Sequence, residues 1–519
     1  MSDSLRESVI LSHEREMTVA PFHLLILVSL SLGAMALGEA LILGGEGVQF
    51  RSYLALLGLY AAASAAFVMS RIRRGRLNVF EIPVYITCTF FLQFGLIPLR
   101  NFIDPGQMDR HLSGDGEELV SALSFCLLGM MAFWVGCEVA RRREPSRMLR
   151  DPAGPSILPE SKEARVLFPL VALYGVSFCT KYLLFRSHLF SYTGSSEKYW
   201  DNLASMQVLT YVSQFGTLAL IGLAIERYRR PKDAIWRNLF LVVFFSELLW
   251  GLISGMKSFV LQNFIAVALV SSLVKRKLNL FWLGAPFLAL VILYPVSNAY
   301  RGVLKTGEIE VTSFEGAASA GQMAGSRAWE RTPTTEGSLR EGAESALRRM
   351  DMLTSVAQIL TLGYRASYVK GDVPWWMLPI YPFIPRLLWP SKPVLVEGGR
   401  FTIALSRGAG NPTTLNISST ALTYLGDLYL QFGLLGVPIG MFALGLVAQK
   451  LTNVMSGPLQ RRDLFVYGGV FLFGFPFEAD VFGLWATLIK LLAVLYFLSR
   501  AIYGRGSRFS AASHSAQRE

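Results

Sequence analysis

Between residues 381 and 407 the chain gathers Arg386, Lys392, Arg400 and Arg407 around Trp389, with Glu397 beside the Gly398–Gly399 pair. Guanidinium groups suit phosphate because their fork meets two oxygens at once, and a lysine adds a point charge. The run YPFIPRLLWPSKP, residues 381–393, contains four prolines, three aromatic residues and two cations. Proline fixes the backbone and stops helices. Such a strip can hold cations with little entropy to lose, and it cannot itself cross a bilayer as a helix. A second carboxylate, Asp427, follows in YLGDLYL. Glu397 and Asp427 are the candidates for a base that takes a proton from a hydroxyl. Asp427 is equally suited to partner a nearby arginine. Trp389, like Trp375 and Trp376, has the half-apolar ring that prefers a membrane interface. The strip therefore reads either as a rigid interfacial anchor or as a wall of a lipid-facing anion site, and its cations favour the second.

The elements that must position these groups are membrane helices. The chain has 519 residues, of which 52% are hydrophobic and 17% charged, and its mean hydropathy is +0.41. That composition belongs to a polytopic membrane protein. A bilayer crossing needs roughly 20 apolar residues. About twelve stretches approach that length: 21–43, 52–70, 79–98, 119–140, 166–185, 206–225, 238–255, 258–274, 279–297, 430–449, 464–477 and 481–499. The expected fold is thus all-α, with the 238–274 pair a hairpin almost without a loop. Residues 1–20 are polar and of mixed charge, which does not suit a cleavable signal peptide.

Cations fall in alternate loops. Arg71 to Arg76, Arg141 to Arg165, Arg227 to Arg237, Lys275 to Lys277, Lys450 to Arg462 and the tail from Arg500 lie on one side, with both termini. The opposite short loops carry Arg51, Arg100, Arg110, Arg186, Lys198 and Lys257. This is the positive-inside pattern. It predicts cytoplasmic termini and assigns the net charge of +12 to topology and anionic lipid, not to nucleic acid. Cys88, Cys126, Cys137 and Cys179 fall within the spans without metal-type spacing, and the five histidines are scattered.

Three regions follow: a membrane domain over 1–297, one large outer loop over 298–420, and a membrane segment over 421–519. Within the loop, 311–338 is rich in small and polar residues and reads as flexible. Residues 340–362 have the apolar spacing of an amphipathic helix lying on the membrane surface. Charges within the spans or their ends include Glu39, Lys181, Glu247 and Lys490; the cost of lone charges in lipid suggests that Glu247 and Lys490 pair. Lys257, in the tight SGMKS turn, faces the loop side and joins the candidate binding residues.

Arg349–Met350–Asp351, IPRLLWPSKP (384–393), GGRF (398–401) and TYLGDLYLQFGLLGVPIGMFALGL (423–446) together resemble bacterial oligosaccharide repeat-unit polymerases, the Wzy-type enzymes of O-antigen and exopolysaccharide assembly. The likeness covers the C-terminal third by motif and the rest by topology. It implies a fold similar to GT-C-type membrane glycosyltransferases and a site on the periplasmic face of the inner membrane. The implied substrates are undecaprenyl-diphosphate-linked oligosaccharides, held among membrane lipid, with a chain-length regulator and a flippase as possible partners. Arg386, Lys392, Arg400, Arg407, Lys257 and Trp389 would then bind substrate, and Glu397 or Asp427 would act as base. Some members carry an arginine followed by ten residues and a glycine. Here Arg331 and Gly342 have that spacing in a Gly-rich stretch, while Arg400 and Gly410 miss it by one, so roles rest on chemistry. A lipid-linked donor is already activated, so no nucleotide or other cofactor is expected. The rivals are an O-antigen ligase, which leans on a loop histidine that 298–420 does not contain, a lipid-linked oligosaccharide flippase, for which internal repeats are expected, and a non-catalytic scaffold.

Overall fold

A computed structural model describes residues 48–72, 80–103, 116–143, 164–190, 203–275, 299–304, 313–330, 350–363, 380–384, 422–455, 461–475 and 481–504, with isolated positions between them. Among the described residues, eight helices are long and apolar enough to cross a membrane. They include α1 (Val48–Ile72), α3 (Glu117–Arg143), α4 (Ala164–Arg186), α7 (Ala234–Ile253) and α8 (Lys257–Lys275). The span Ile82–Phe102 is α2. Another crossing is built from α5 (Leu203–Ser213) and α6 (Phe215–Arg229), which meet at Gln214. Shorter or more polar helices follow: α9 (Phe314–Glu330), α10 (Met352–Leu362), α11 (Thr423–Phe432), α12 (Gly436–Met455) and α13 (Arg461–Phe473), before the eighth span, α14 (Val481–Tyr503).

Several expectations change. The proposed spans 21–43 and, for the most part, 279–297 lie outside the described residues. A turn over Gly433–Leu435 divides α11 from α12, so the helix expected over 430–449 starts at Gly436. Helix α13 has 13 residues, too few to cross a bilayer alone. The stretch read as flexible contains α9, whose Ala317, Ala320 and Ala324 recur on one helical face and are buried with Phe185, Trp250 and Tyr300. Small side chains there serve close packing rather than mobility. Of the helix expected over 340–362, α10 covers Met352–Leu362 behind an extended cap at Asp351, and it is docked into the bundle, not laid on a surface. Leu353, Val356, Ala357 and Ile359 are fully buried, and the helix packs on α3 and α11.

The closest helix pair is α3 with α12. A Cβ on Gly136 would stand 2.2 Å from the Phe442 carbonyl oxygen, and one on Gly445 would stand 2.1 Å from that of Phe133. Two backbones therefore touch directly, the small-residue packing that replaces the hydrophobic effect in lipid. Where a helix loses its own hydrogen bond, a neighbour supplies one. At the α5–α6 junction Thr217 N bonds to Gln214 O, and the Ser213 carbonyl accepts from Ser177 Oγ at 2.6 Å. In α2, the π turn Phe91–Leu96 precedes Pro98, and Tyr53 donates its hydroxyl to Gly95 O at 2.8 Å.

Basic residues collect at one end. Arg71 donates to Glu81 at 2.7 Å and to Gln449 at 2.6 Å. Tyr467 of α13 donates to Phe80 O, which ties this group to the end where Arg230 and Arg461 flank the buried Glu226 at 3.4 and 3.3 Å. We call this the basic end.

Deep in the bundle, Lys181 Nζ of α4 holds both oxygens of Glu247 of α7, at 2.5 and 2.6 Å. This corrects the expected Glu247–Lys490 pair: helical register places Lys181, not Lys490, opposite Glu247. The Thr217 hydroxyl of α6 lies 3.5 Å from Glu247 Oε2 and 3.5 Å from Asn263 Oδ1 of α8, within donating distance of either. Removing one partner of such a pair leaves a buried charge alone. Lys181→Met should therefore destabilise the protein by about 3–5 kcal/mol, and Lys181→Met with Glu247→Leu should recover most of that loss. Thermal unfolding of the purified variants checks this; additive shifts would mean the two groups do not interact.

Candidate functional site

The chemically interesting groups lie at the end opposite the basic one. The α7–α8 turn runs through Gly255, whose φ of 68° suits glycine alone without strain. Ser254 Oγ accepts from Met256 N at 3.0 Å. A segment at the start of the long loop grips the turn from above. Arg301 Nε donates to Gly255 O at 2.8 Å, Ser297 Oγ donates to the same oxygen at 3.4 Å, and Tyr300 OH donates to Ile253 O at 3.1 Å. Burial pushes the Tyr300 hydroxyl up to about 12, so it stays a donor at any physiological pH.

Beside this turn is a cavity of about 520 Å³. Leu252, Val260, Leu261, Phe314 and Ala317 make its walls, and Lys257 and Ser297 stand among the lining residues. The lining is that of a site for an apolar group, with a cation among its residues. Helix α9 closes one side, so the segment expected to be flexible instead forms a wall.

The described residues of the strip, 381–384, 389 and 392, form a clip. Tyr381–Phe383 form a single 3₁₀ turn. Lys392, which is buried, donates through Nζ to Tyr381 O and Ile384 O, both at 2.8 Å, and sits 4.4 Å from the centre of the Tyr381 ring. Trp389 meets the same ring edge-on at 5.7 Å. The ammonium thus joins the two ends of this turn, whose Tyr381 carbonyl also accepts from Ile384 N at 3.2 Å. Phe383 in turn faces Lys490 of α14, whose Nζ lies 5.9 Å from its ring centre and 5.9 Å from that of Tyr211 on α5.

Asp427 is buried in α11. Its Oδ2 accepts from Val481 N at 2.8 Å and its Oδ1 from Gln431 at 3.4 Å. It therefore satisfies one of the orphan donors at the start of α14 and sets a negative charge on the positive pole of that helix. Asp351 does similar work for α10. It caps Thr354 N at 3.1 Å and accepts from Asn101 at 2.8 Å. Burial pushes its carboxyl above the usual range, against the pull of Thr354, Asn101 and Arg100.

Of the residues chosen from sequence, Lys392 and Trp389 are brought together on Tyr381. Lys257 lines the cavity, and Asp427 anchors α14; these form no single cluster. Arg386, Glu397, Arg400 and Arg407 lie outside the described residues, as do Trp375 and Trp376. Sequence reasoning missed Tyr300, Arg301 and Asn101, whose contacts join distant segments and leave no local signal. The cap of α10 had one, an aspartate three residues before a threonine. Among the described residues, no group of three or more His, Cys, Asp or Glu side chains could hold a metal ion.

A family model described as a domain of unknown function, DUF8712, matches residues 177–457. The chain belongs to that family. The match takes in Lys181, Glu247, the cavity, the strip and Asp427, and ends before α14. No curated protein and no solved structure matches the chain.

The clip generates a direct test. Hydrogen bonds from a charged donor contribute about 1.5–3 kcal/mol each. Lys392→Met should speed chymotryptic cleavage after Phe383, which is followed by Ile384, by about thirtyfold or more, while the unfolding midpoint of the whole bundle moves little. Equal cleavage rates in the variant and the parent would show that the ammonium does not hold the strip.

Proposed function

We propose that this family member polymerises lipid-diphosphate-linked oligosaccharide repeat units at the periplasmic face of the bacterial inner membrane, with both termini in the cytoplasm. The observation that carries the reading is the apolar cavity with Lys257 among its lining residues, at the same end of the bundle as Asp427, whose segment belongs to the polymerase-like motifs. An apolar channel with a cation suits an amphiphile whose tail is hydrocarbon and whose head is anionic.

In the reaction the bond between the donor's anomeric carbon and the diphosphate oxygen breaks. A bond forms from that carbon to a hydroxyl oxygen of the acceptor, the hydroxyl proton passes to a base, and the lipid diphosphate leaves with the electron pair. Negative charge grows on the leaving oxygens, and fixed cations lower that barrier most where water is excluded. Arg386, Arg400 and Arg407 are assigned to that charge, and Glu397 to the proton. Asp427 is assigned the placement of α14, because one of its oxygens already holds Val481. Lys392 acts by fixing the strip that carries Arg386. The donor supplies the driving force, so the proposal requires no nucleotide.

The lipid-linked glycans of a deletion strain test this. Loss of a polymerase should leave single repeat units on their carrier outside the cytoplasmic membrane, whereas loss of a flippase leaves none there. Complementation with the Arg386→Ala, Arg400→Ala variant should restore protein but not polymer, since one lost transition-state contact costs about a hundredfold in rate. Polymer of normal length and amount from that variant would remove the arginines from the mechanism. Normal polymer in the deletion strain would end the polymerase reading itself.

Orientation has its own test. Reporter fusions at residue 232 should be active as cytoplasmic and fusions at 325 as periplasmic. A cytoplasmic signal at 325 would put the cavity and strip on the wrong side for this substrate.

A further inference from the structure

Lys490 is the intramembrane charge for which the bundle supplies no counter-ion among the described residues. It lies nine residues, about 13 Å, below the start of α14, far from either end of the helix. Its ammonium is half-buried and meets two aromatic rings, Tyr211 and Phe383, each at the outer limit of a cation–π contact. Other deep cations are differently placed. Lys181 has Glu247 and Arg71 has Glu81. A charged side chain at membrane depth faces protein or a wet crevice and marks a pathway or a ligand. Two rings at this distance do not compensate an ammonium taken out of water.

The surroundings define the ligand. Lys490 stands where the described turn of the strip meets α14, through Phe383. The second ring at the ammonium is Tyr211, on α5. A cation flanked by aromatic rings on a membrane helix suits an anionic head joined to a hydrocarbon tail. Lys490 does not line the cavity that contains Lys257.

We propose that Lys490 binds the diphosphate of a prenyl-diphosphate lipid, in a site separate from the Lys257 cavity. The inference rests on the polymerase reading to this extent: that reaction needs a donor and an acceptor, each carrying a lipid diphosphate, and the chain offers two separate places for them.

The test uses the purified full chain in detergent and farnesyl diphosphate as probe, with farnesol and phosphatidylglycerol as comparisons. The parent should bind farnesyl diphosphate at two sites and farnesol much more weakly. Lys490→Met keeps the length and the apolar stem of the side chain. It should abolish or weaken one site by about tenfold to a hundredfold and leave the other intact. Lys257→Met should do the reverse, and Lys490→Arg should retain both. Unchanged binding by Lys490→Met, even with a lower unfolding midpoint, would make Lys490 a tether for Phe383 and overturn the proposal. Equal competition by phosphatidylglycerol, or equal affinity for farnesol, would overturn it as well. These outcomes are independent of the glycan profile. Lys490-dependent diphosphate binding with normal polymer in the deletion strain would end the polymerase reading and leave the site standing; the opposite pair of results would do the converse.

Discussion

An ammonium gripped by both oxygens of one carboxylate, with hydrocarbon around the bundle, is the contact on which the helix arrangement depends. Neither Lys181 nor Glu247 can be left alone at that depth, because each would carry an unpaired charge out of water. Their pairing sets the rotation of α4 against α7. Thr217 and Asn263 extend the same polar patch to α6 and α8. Gly216 makes room for it, since a Cβ there would stand 2.2 Å from Glu247 Oε1. Once these four helices are fixed about that patch, the α7–α8 turn must emerge at the end where the cavity opens.

The same rule governs backbone groups. In lipid a carbonyl released by a bend or a proline has no water to turn to. Ser177 serves the Ser213 carbonyl, Tyr53 serves Gly95, Arg301 serves Gly255, and Lys392 serves Tyr381 and Ile384. The first three irregularities are thereby fastened to a second element, and the fourth is closed within the strip. These fastenings hold the irregular pieces at the end opposite the basic residues, where a binding site needs shape that straight helices cannot provide. Lys392 shows the consequence for function: a cation that suits phosphate in a sequence is used in the fold to close a turn, and its contribution is to hold the strip's shape.

Binding of an amphiphile requires an apolar surface and a charge in register with each other. The cavity meets this with Lys257 beside Leu252, Val260 and Phe314. Helix α9 contributes the remaining wall because its alanines allow it to lie close to Trp250 and Tyr300. Larger side chains on that face would hold the helix away and open the cavity to water. Asp427 contributes from a distance, by fixing the first turn of α14, the helix that carries Lys490.

Composition and hydropathy alone determined that this is an all-helical membrane protein with several helices long and apolar enough to cross a bilayer, since burial in lipid demands long apolar runs whatever their neighbours. The apolar spacing of α10 and the tight 238–274 hairpin were legible for the same local reason. Partners distant in sequence were not. Lys181 and Lys490 are equally plausible mates for Glu247 on the page, and only the rotation and packing of α4 and α14 decide between them. Likewise nothing in the sequence around Asp427 marks its bond from the Val481 N–H, fifty-four positions later. The small residues of α9 read as a linker because intrinsic propensity is weak there; contact with Trp250 and Tyr300 supplies the burial that makes them a helix.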